Sequence, residues 1–233
     1  MGWLSLEEWQ AVRLSLSVAL RAVLFGLPPG ILVAWLLARG RFPGRGVLDA
    51  LVHLPLVMPP VVIGWLLLVT FGVRGPVGAW LNDWFGIRLV FTTGGAALAT
   101  AVMSFPLIVR SVRLSLDAVD PGLEEAARTL GAGPVDRFLT ITLPLMAPGV
   151  LSGAIIAFAA GLGEFGAVIT FASNIPGETQ TLPLAIYAAT QTPGGEAMAA
   201  RLAAISFAMA VAGLVLADFA GRRLRALLGR GGR

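Results

Sequence analysis

The sequence predicts an all-α integral membrane protein, and three observations lead to that fold class. Hydrophobic residues make up 57% of the 233 residues and charged residues only 13%, with a mean hydropathy of +0.84. A soluble domain carries about 25% charged residues. Five apolar stretches each approach or exceed the roughly 20 residues that a membrane helix needs, and arginines gather in the short segments between them. Such a chain cannot cover its surface with polar groups, so membrane lipid must be its solvent.

The apolar stretches define five predicted spans within a single transmembrane domain over residues 1–233. These spans are about Leu14–Ala38, Val47–Gly72, Thr92–Val109, Ile141–Ala172 and Ala197–Phe219. Proline disturbs a helix because it lacks the amide N–H. Pro28 and Pro29 lie in the first span, and Pro148 and Gly149 lie in the fourth. A sixth crossing or a re-entrant piece is therefore left open.

The arginines predict the orientation of the spans. All 17 basic residues are arginine, and the segments after the first, third and fifth spans hold 3, 4 and 5 of them, 12 in all. The remaining 5 are assigned to the other side. Cytoplasmic loops carry the excess of positive charge. The sequence thus predicts the cytoplasmic (inner) membrane as the location, with the N-terminus outside and the C-terminus in the cytoplasm.

Missing residue types exclude several kinds of site. The chain has no cysteine and no lysine, and it has one histidine. Thiolate chemistry is therefore excluded, no metal site is expected, and the phosphate-binding loop G-x-x-x-x-G-K-[ST] cannot be present without its lysine. If ATP drives the process, another polypeptide binds it. The arginines form no basic face with aromatic stacking residues, so nucleic acid is not expected as a partner.

Two segments on the predicted outer side have a pattern of their own. Val73–Phe91 carries Trp80 and Trp84 at helical spacing, which is typical of an amphipathic helix that anchors a protein at the lipid interface. The second segment, Ser173–Gln191, predicts a turn followed by a short re-entrant or surface helix. Its hydroxyl and amide groups either line the outer mouth of a pore or belong to an ordinary polar loop. The candidates named for a translocation role are Ser173, Asn174 and Thr181.

Few ionisable residues lie within the predicted spans, and such residues are functional candidates. Glu164 lies among glycines, next to Gly166 along the fourth span. We consider two roles for it: it pairs with an arginine, or it caps a broken helix and so shapes the pore or gate. Arg21 is expected to reach the interface with its long side chain. Asp218 is expected to pair with the C-terminal arginines.

The predicted cytoplasmic segment Asp117–Pro144 has the pattern of a folded helical hairpin. Asp120 is a good N-cap residue, and Pro121 fits the first position of a helix. Small and apolar residues then recur at helical spacing until Gly131, which suits the left-handed position after a helix. A second short helix is expected from about Val135 into the fourth span. A mere connector needs no capped helix, so we interpret the hairpin as a docking element.

This hairpin resembles a known family. Its residues match the signature EAA-x3-G-x9-I-x-LP at every fixed position, and the matching residues are Glu125, Ala126, Ala127, Gly131, Ile141, Leu143 and Pro144. The signature marks the permease subunits of binding-protein-dependent ABC importers. The resemblance implies the permease fold of those importers and ATPase subunits at the cytoplasmic face, which contact Glu125, Ala126, Ala127 and Gly131. ATP and Mg²⁺ would be bound by that ATPase partner, and this chain would hold no cofactor.

Other stretches resemble the molybdate branch of that family and its sulfate and tungstate relatives. These stretches are Leu54–Leu68, Met103–Asp120, Leu162–Pro183 and Gln191–Glu196. The resemblance implies a homodimeric pore that works by alternating access and receives a tetrahedral oxyanion from a periplasmic binding protein. Molybdate is the expected substrate, and tungstate or sulfate is the alternative.

Two other classes of function fit the sequence less well than a transport permease. An intramembrane enzyme needs a catalytic constellation, and the sequence offers neither HExxH nor a partner pattern around Ser152. An ion channel or a membrane anchor subunit explains the spans but leaves the capped hairpin without a role. The sequence therefore favours a permease that catalyses no reaction of its own.

Overall fold

A computed structural model describes residues 4–230, excluding the side chains of residues 121, 217, 218 and 220–230. The described part of the chain contains helices and no strands. The helices are α1 (Leu6–Arg39), α2 (Arg45–Val57), α3 (Pro60–Phe71), α4 (Pro76–Phe85), α5 (Thr93–Asp117), α6 (Pro121–Thr129), α7 (Pro134–Arg137), α8 (Leu143–Leu162), α9 (Gly166–Phe171), α10 (Leu182–Thr190) and α11 (Glu196–Arg230). The predicted pairing of Asp218 with the C-terminal arginines lies outside the described side chains.

The first helix is longer than predicted and is not interrupted. It has 34 residues and contains Pro28 and Pro29, so at 1.5 Å per residue it measures about 51 Å. A capping box fixes its start, with Ser5 Oγ accepting from the Glu8 amide and Glu8 accepting from the Ser5 amide. Pro148 likewise lies inside α8. Both helices continue through these prolines, so the interruption that the sequence left open does not occur at them.

The break occurs instead in the second predicted span. Helices α2 and α3 meet at an angle of 117° across Met58 and Pro59. Pro59 and Pro60 have no amide hydrogen, so the start of α3 has fewer N–H groups to satisfy. The amide of Val62 bonds to the carbonyl of Pro59 over 2.9 Å. Residues 4–230 therefore include four helical stretches long and apolar enough to cross a membrane, or five spans if the bent pair counts as one.

The fourth predicted span is also divided. A continuous helical stretch runs from Pro134 to Leu162 and ends at Gly163, whereas the prediction continued to Ala172. Helix α9 follows separately and packs on α3 at two glycines. A Cβ atom on Gly64 would lie 2.8 Å from the Ala167 carbonyl oxygen, and one on Gly166 would lie 2.7 Å from Pro60 Cβ. Only glycine permits this approach, so α3 and α9 form one unit.

Small residues also bring the three central helices together. Gly149 and Gly153 of α8 face serines of α5, and Gly161 of α8 faces Thr100 of α5 and Ala19 of α1. Apolar side chains from α1, α5 and α8 fill the space between them, among them Leu37, Ile108, Val112, Leu116 and Met146. Small residues at helix contacts let membrane helices approach closely, which accounts for this arrangement.

Ion pairs distinguish the two ends of the molecule. At one end, Arg113 Nη1 lies 3.0 Å from Asp49 Oδ2, and His53 Nδ1 lies 2.8 Å from the Asp49 carbonyl oxygen. At the other end, Arg201 Nη2 lies 2.8 Å from Glu8 Oε1. We call the first, where α5 ends and α6 begins, the arginine-rich end, and the second the opposite end. Helices α1 and α11 both start at the opposite end, and α8 starts at the arginine-rich end.

Candidate functional site

The hairpin at the arginine-rich end begins with a capped helix. Asp120 Oδ1 accepts from the Gly122 amide over 2.8 Å, and Pro121 is the first residue of α6. The prediction of the N-cap and of the first helical position is confirmed. Because the cap is local in sequence, α6 has a fixed start even though its far side faces solvent.

Gly131 ends α6 in the conformation that the sequence predicts. Its φ is +90°, and no atom lies within 4 Å of the position that a Cβ would take. The Gly131 amide donates to the Arg128 carbonyl over 3.1 Å, and the Ala132 amide donates to the Ala127 carbonyl over 3.0 Å. These two bonds form a Schellman motif, which satisfies carbonyls at the helix end. The chain then turns directly into α7.

The second arm of the hairpin is continuous with a membrane helix. Helix α7 leads into a π-helical turn, Phe138–Thr142, and that turn leads into α8 without a break. Ile141, Leu143 and Pro144 of the family signature are half-buried along this arm. The second arm and α8 therefore form one continuous helical stretch, Pro134–Leu162.

The outer face of the hairpin exposes apolar and small side chains. Leu130 is 88% exposed and Val135 is 69% exposed, and Leu123 and Leu139 add to the same region. Glu125 and Ala126 are exposed as well, and Ala127 is half-buried. Apolar surface that faces water marks a site of protein contact. We call this region, residues 123–139, the hairpin surface.

Glu124, which the sequence did not single out, holds the hairpin to the rest of the molecule. Thr142 Oγ1 donates to Glu124 Oε1 over 2.8 Å, and Arg39 Nη2 lies 3.7 Å from the same oxygen. Arg39 also donates to the carbonyls of Leu116 and Val119, each over 3.2 Å. Thr142 is buried. One carboxylate thus connects α6 to the ends of α1 and α5 and to the start of α8.

Glu164 lies at the opposite end, between α8 and α9. Its Oε1 atom accepts from the Ala167 amide over 2.9 Å, so it caps α9, which is one of the two roles considered for it. No arginine pairs with it in the part of the chain that the structure describes. Gly166, two residues further along the chain, makes the close contact with Pro60 described above. Glu164 therefore helps to fix the joint between the broken fourth span and the α3–α9 unit.

The predicted outer segment is an ordered loop followed by the expected short helix, α10. Thr179 Oγ1 accepts from the Ile175 amide over 2.9 Å and donates to the Ser173 carbonyl over 3.1 Å. Ser173 itself has a φ of +65°. Thr181 is buried, and its Oγ1 and the Asn174 Oδ1 atom have no partner among the described residues. Thr179 thus stabilises the loop by two hydrogen bonds, whereas Asn174 and Thr181 each have a buried oxygen without a hydrogen-bond partner among the described residues.

The likeness to known proteins extends over nearly the whole chain. The profile of the family described as binding-protein-dependent transport system inner membrane component matches residues 26–226. The chain belongs to this family. The molybdenum transport system permease protein ModB of Escherichia coli (strain K12) is 59% identical over 223 residues, or 96% of this chain and 97% of that protein. ModB of Haemophilus influenzae is 52% identical over 224 residues, or 96% and 98%.

Another member of the family and a solved structure complete the comparison. The sulfate transport system permease protein CysT of E. coli (strain K12) is 39% identical over 217 residues, or 92% of this chain and 78% of that protein. A bacterial alginate ABC transporter, solved with an alginate pentasaccharide-bound periplasmic protein, gives a TM-score of 0.75 at 19% identity, covering 94% of this chain and 80% of the other. The predicted fold class, an all-α membrane protein with the ABC permease fold, is confirmed.

Proposed function

We propose that this chain is the membrane-spanning permease subunit of an ATP-driven importer that carries molybdate across the cytoplasmic membrane. The observation that carries the proposal is the 59% identity to a molybdenum permease over 96% of the chain, against 39% for a sulfate permease. Tungstate and sulfate share the tetrahedral oxyanion chemistry of molybdate and remain the alternative substrates.

The hairpin surface is the proposed contact with a separate ATPase subunit, which binds ATP and Mg²⁺. Glu125, Ala126, Ala127 and Gly131 are the proposed contact residues. Ile141, Leu143 and Pro144 belong to the arm that carries the movement into α8. Exposed leucines beside small residues suit a protein partner, because small side chains let another surface approach closely. The membrane chain itself catalyses no reaction.

The proposed transport cycle is alternating access in a homodimer. A periplasmic binding protein delivers the oxyanion at the opposite end, and closure of the ATPase subunits moves the hairpins at the arginine-rich end. The bias of the arginines supports a cytoplasmic C-terminus and an N-terminus outside. The proposed translocation or gate residues are Glu164, Gly166, Ser173, Asn174 and Thr181. Weakly held polar groups suit this path, because a tight anion site would prevent release.

The choice of substrate is tested by ATP hydrolysis in proteoliposomes that contain this chain, its ATPase and its binding protein. We expect molybdate to stimulate hydrolysis at lower concentrations than sulfate does. Tungstate is the comparison that decides between the two heavy oxyanions. Equal stimulation by sulfate, or hydrolysis that does not depend on the membrane chain, would contradict the proposal.

Substitutions of the adjacent residues Glu124 and Glu125 should affect ATPase binding and ATP hydrolysis differently. Glu124→Ala removes the acceptor of Thr142 and the partner of Arg39, so we expect the ATPase to bind while anion-stimulated hydrolysis falls about fivefold or more, since the loss of such a bond costs about 1–3 kcal/mol. Glu125→Ala changes only the exposed face and should weaken ATPase binding itself. Co-purification and hydrolysis, measured together, separate the two. Identical defects in both variants would rule out a separate positioning role for Glu124.

A further inference from the structure

A polar cavity lies beside α1 at the opposite end and has no role in the function proposed above. Its volume is about 320 Å³. Its polar lining comes from Gln10, Arg13, Ser17, Arg21 and Thr93, and Gly177 closes one side. Arg13, Ser17 and Arg21 are spaced four residues apart, so they lie above one another on one face of α1.

The two arginines of this cavity have no counter-charge. Neither guanidinium has an ion pair or a hydrogen bond within the part of the chain that the structure describes, and no carboxylate lines the cavity. By the rise of 1.5 Å per residue, Arg21 lies about 10 Å along α1 beyond Leu14, where the predicted apolar span begins. A charged residue at such depth is costly unless it has a partner or reaches the interface. The cavity therefore has the chemistry of an oxyanion site whose ligand comes from outside the chain.

An apolar cleft continues from the same arginine. It has a volume of about 860 Å³ and lies between α1, α2 and α5. Arg21 is its only ionisable lining residue, and the others are apolar, among them Phe25, Leu98, Ala101 and Phe105. Arg21 thus stands where a polar cavity with two free cations meets a long apolar cleft.

We propose that the cavity and the cleft together bind one anionic phospholipid. The phosphate oxygens would accept hydrogen bonds from Arg13 and Arg21, with Ser17 and Gln10 beside them, and an acyl chain would lie in the cleft along α5. Basic pockets between membrane helices are known to hold anionic head groups. A free oxyanion would satisfy the arginines but would leave the apolar cleft unfilled, whereas a phospholipid fills both. This assignment does not depend on which anion the protein transports.

The test is native mass spectrometry of the full-length chain, purified with its ATPase from nanodiscs of equal parts phosphatidylglycerol and phosphatidylcholine. We expect retained phosphatidylglycerol to exceed phosphatidylcholine. In the double variant Arg13→Gln/Arg21→Gln, retention should fall about tenfold, since a charge-assisted hydrogen bond contributes about that factor. Arg74→Gln is the matched control, because Arg74 is exposed and lines neither space. It should retain phosphatidylglycerol as the unchanged chain does.

Two further arms identify the occupant. Ala101→Trp fills the cleft without changing a charge, so it should also reduce the retained phosphatidylglycerol. Molybdate, added to the lipid-free complex in nonionic detergent, should not bind in a way that depends on Arg13 and Arg21. Arginine-dependent binding of molybdate would assign the cavity to a free oxyanion and overturn the proposal. Equal retention of the two lipids, or equal losses in the Arg74→Gln control, would overturn it as well.

Discussion

Replacing Gly131 by alanine is expected to reduce anion-stimulated ATP hydrolysis about 5–30-fold, whereas the same replacement at Gly133 should leave it unchanged. Gly131 has a φ of +90°, and Gly133 has a φ of −67°. A side chain in the left-handed region costs about 1–2 kcal/mol, and such a cost corresponds to that factor in an equilibrium. Neither position has an atom within 4 Å of a new Cβ. The backbone conformation is thus the only difference that matters between the two variants.

The measurement is hydrolysis in proteoliposomes with the ATPase and the binding protein, at saturating molybdate. Gly131→Asn should retain more activity than Gly131→Ala, because asparagine tolerates the left-handed conformation better than alanine does. Full activity in Gly131→Ala would mean that the Schellman end of α6 is not needed for coupling. An equal loss in Gly133→Ala would indicate a general sensitivity of the hairpin to added side chains.

Replacing Arg201 by glutamine is expected to lower the thermal stability of the chain. Glu8 is only 1% exposed and accepts two hydrogen bonds from Arg201, of 2.8 and 3.0 Å. Removing one partner of a buried pair costs about 3–5 kcal/mol. Because the Arg201 side chain is 48% exposed, water replaces part of the lost interaction, and a cost of about 1–3 kcal/mol is expected. That corresponds to a fall in Tm of roughly 2–10 °C.

Tryptophan fluorescence of the purified chain during heating provides the measurement. Glu7→Gln is the matched control, because Glu7 is the exposed neighbour of Glu8 and should leave Tm unchanged. The double variant Glu8→Gln/Arg201→Gln removes both charges and should recover part of the loss. A Tm for Arg201→Gln equal to that of the unchanged chain would show that the pair does not hold α1 to α11.

The sequence predicted best the features that depend on local contacts. Asp120, Pro121 and Gly131 each act on residues within one or two turns, so a reader of the sequence can place both ends of α6. The same reasoning identified the short helices α4 and α10. A proline lies in the first turn of each, and Gly86 ends α4.

Features that depend on distant partners were not predictable. Pro28 and Pro29 have the same appearance in the sequence as Pro59 and Pro60, yet only the second pair lies at a break. Around the first pair, Gly26 and Gly30 pack against Ile108 of α5, a partner that the sequence alone does not identify. Glu124 was missed for the same reason, since Thr142 is 18 residues away and Arg39 is on another helix.

The packing of α3 on α9 has a consequence for how the protein is made. During synthesis, the segment Val47–Gly72 emerges as one apolar run, long enough to enter the bilayer as a single helix. The surface that receives α3 in its bent position includes Gly166 and Ala167, which are synthesised much later. A chain that stops before Gly166 lacks that surface. We therefore expect α3 to take its bent position relative to α2 only after the last third of the chain has entered the membrane.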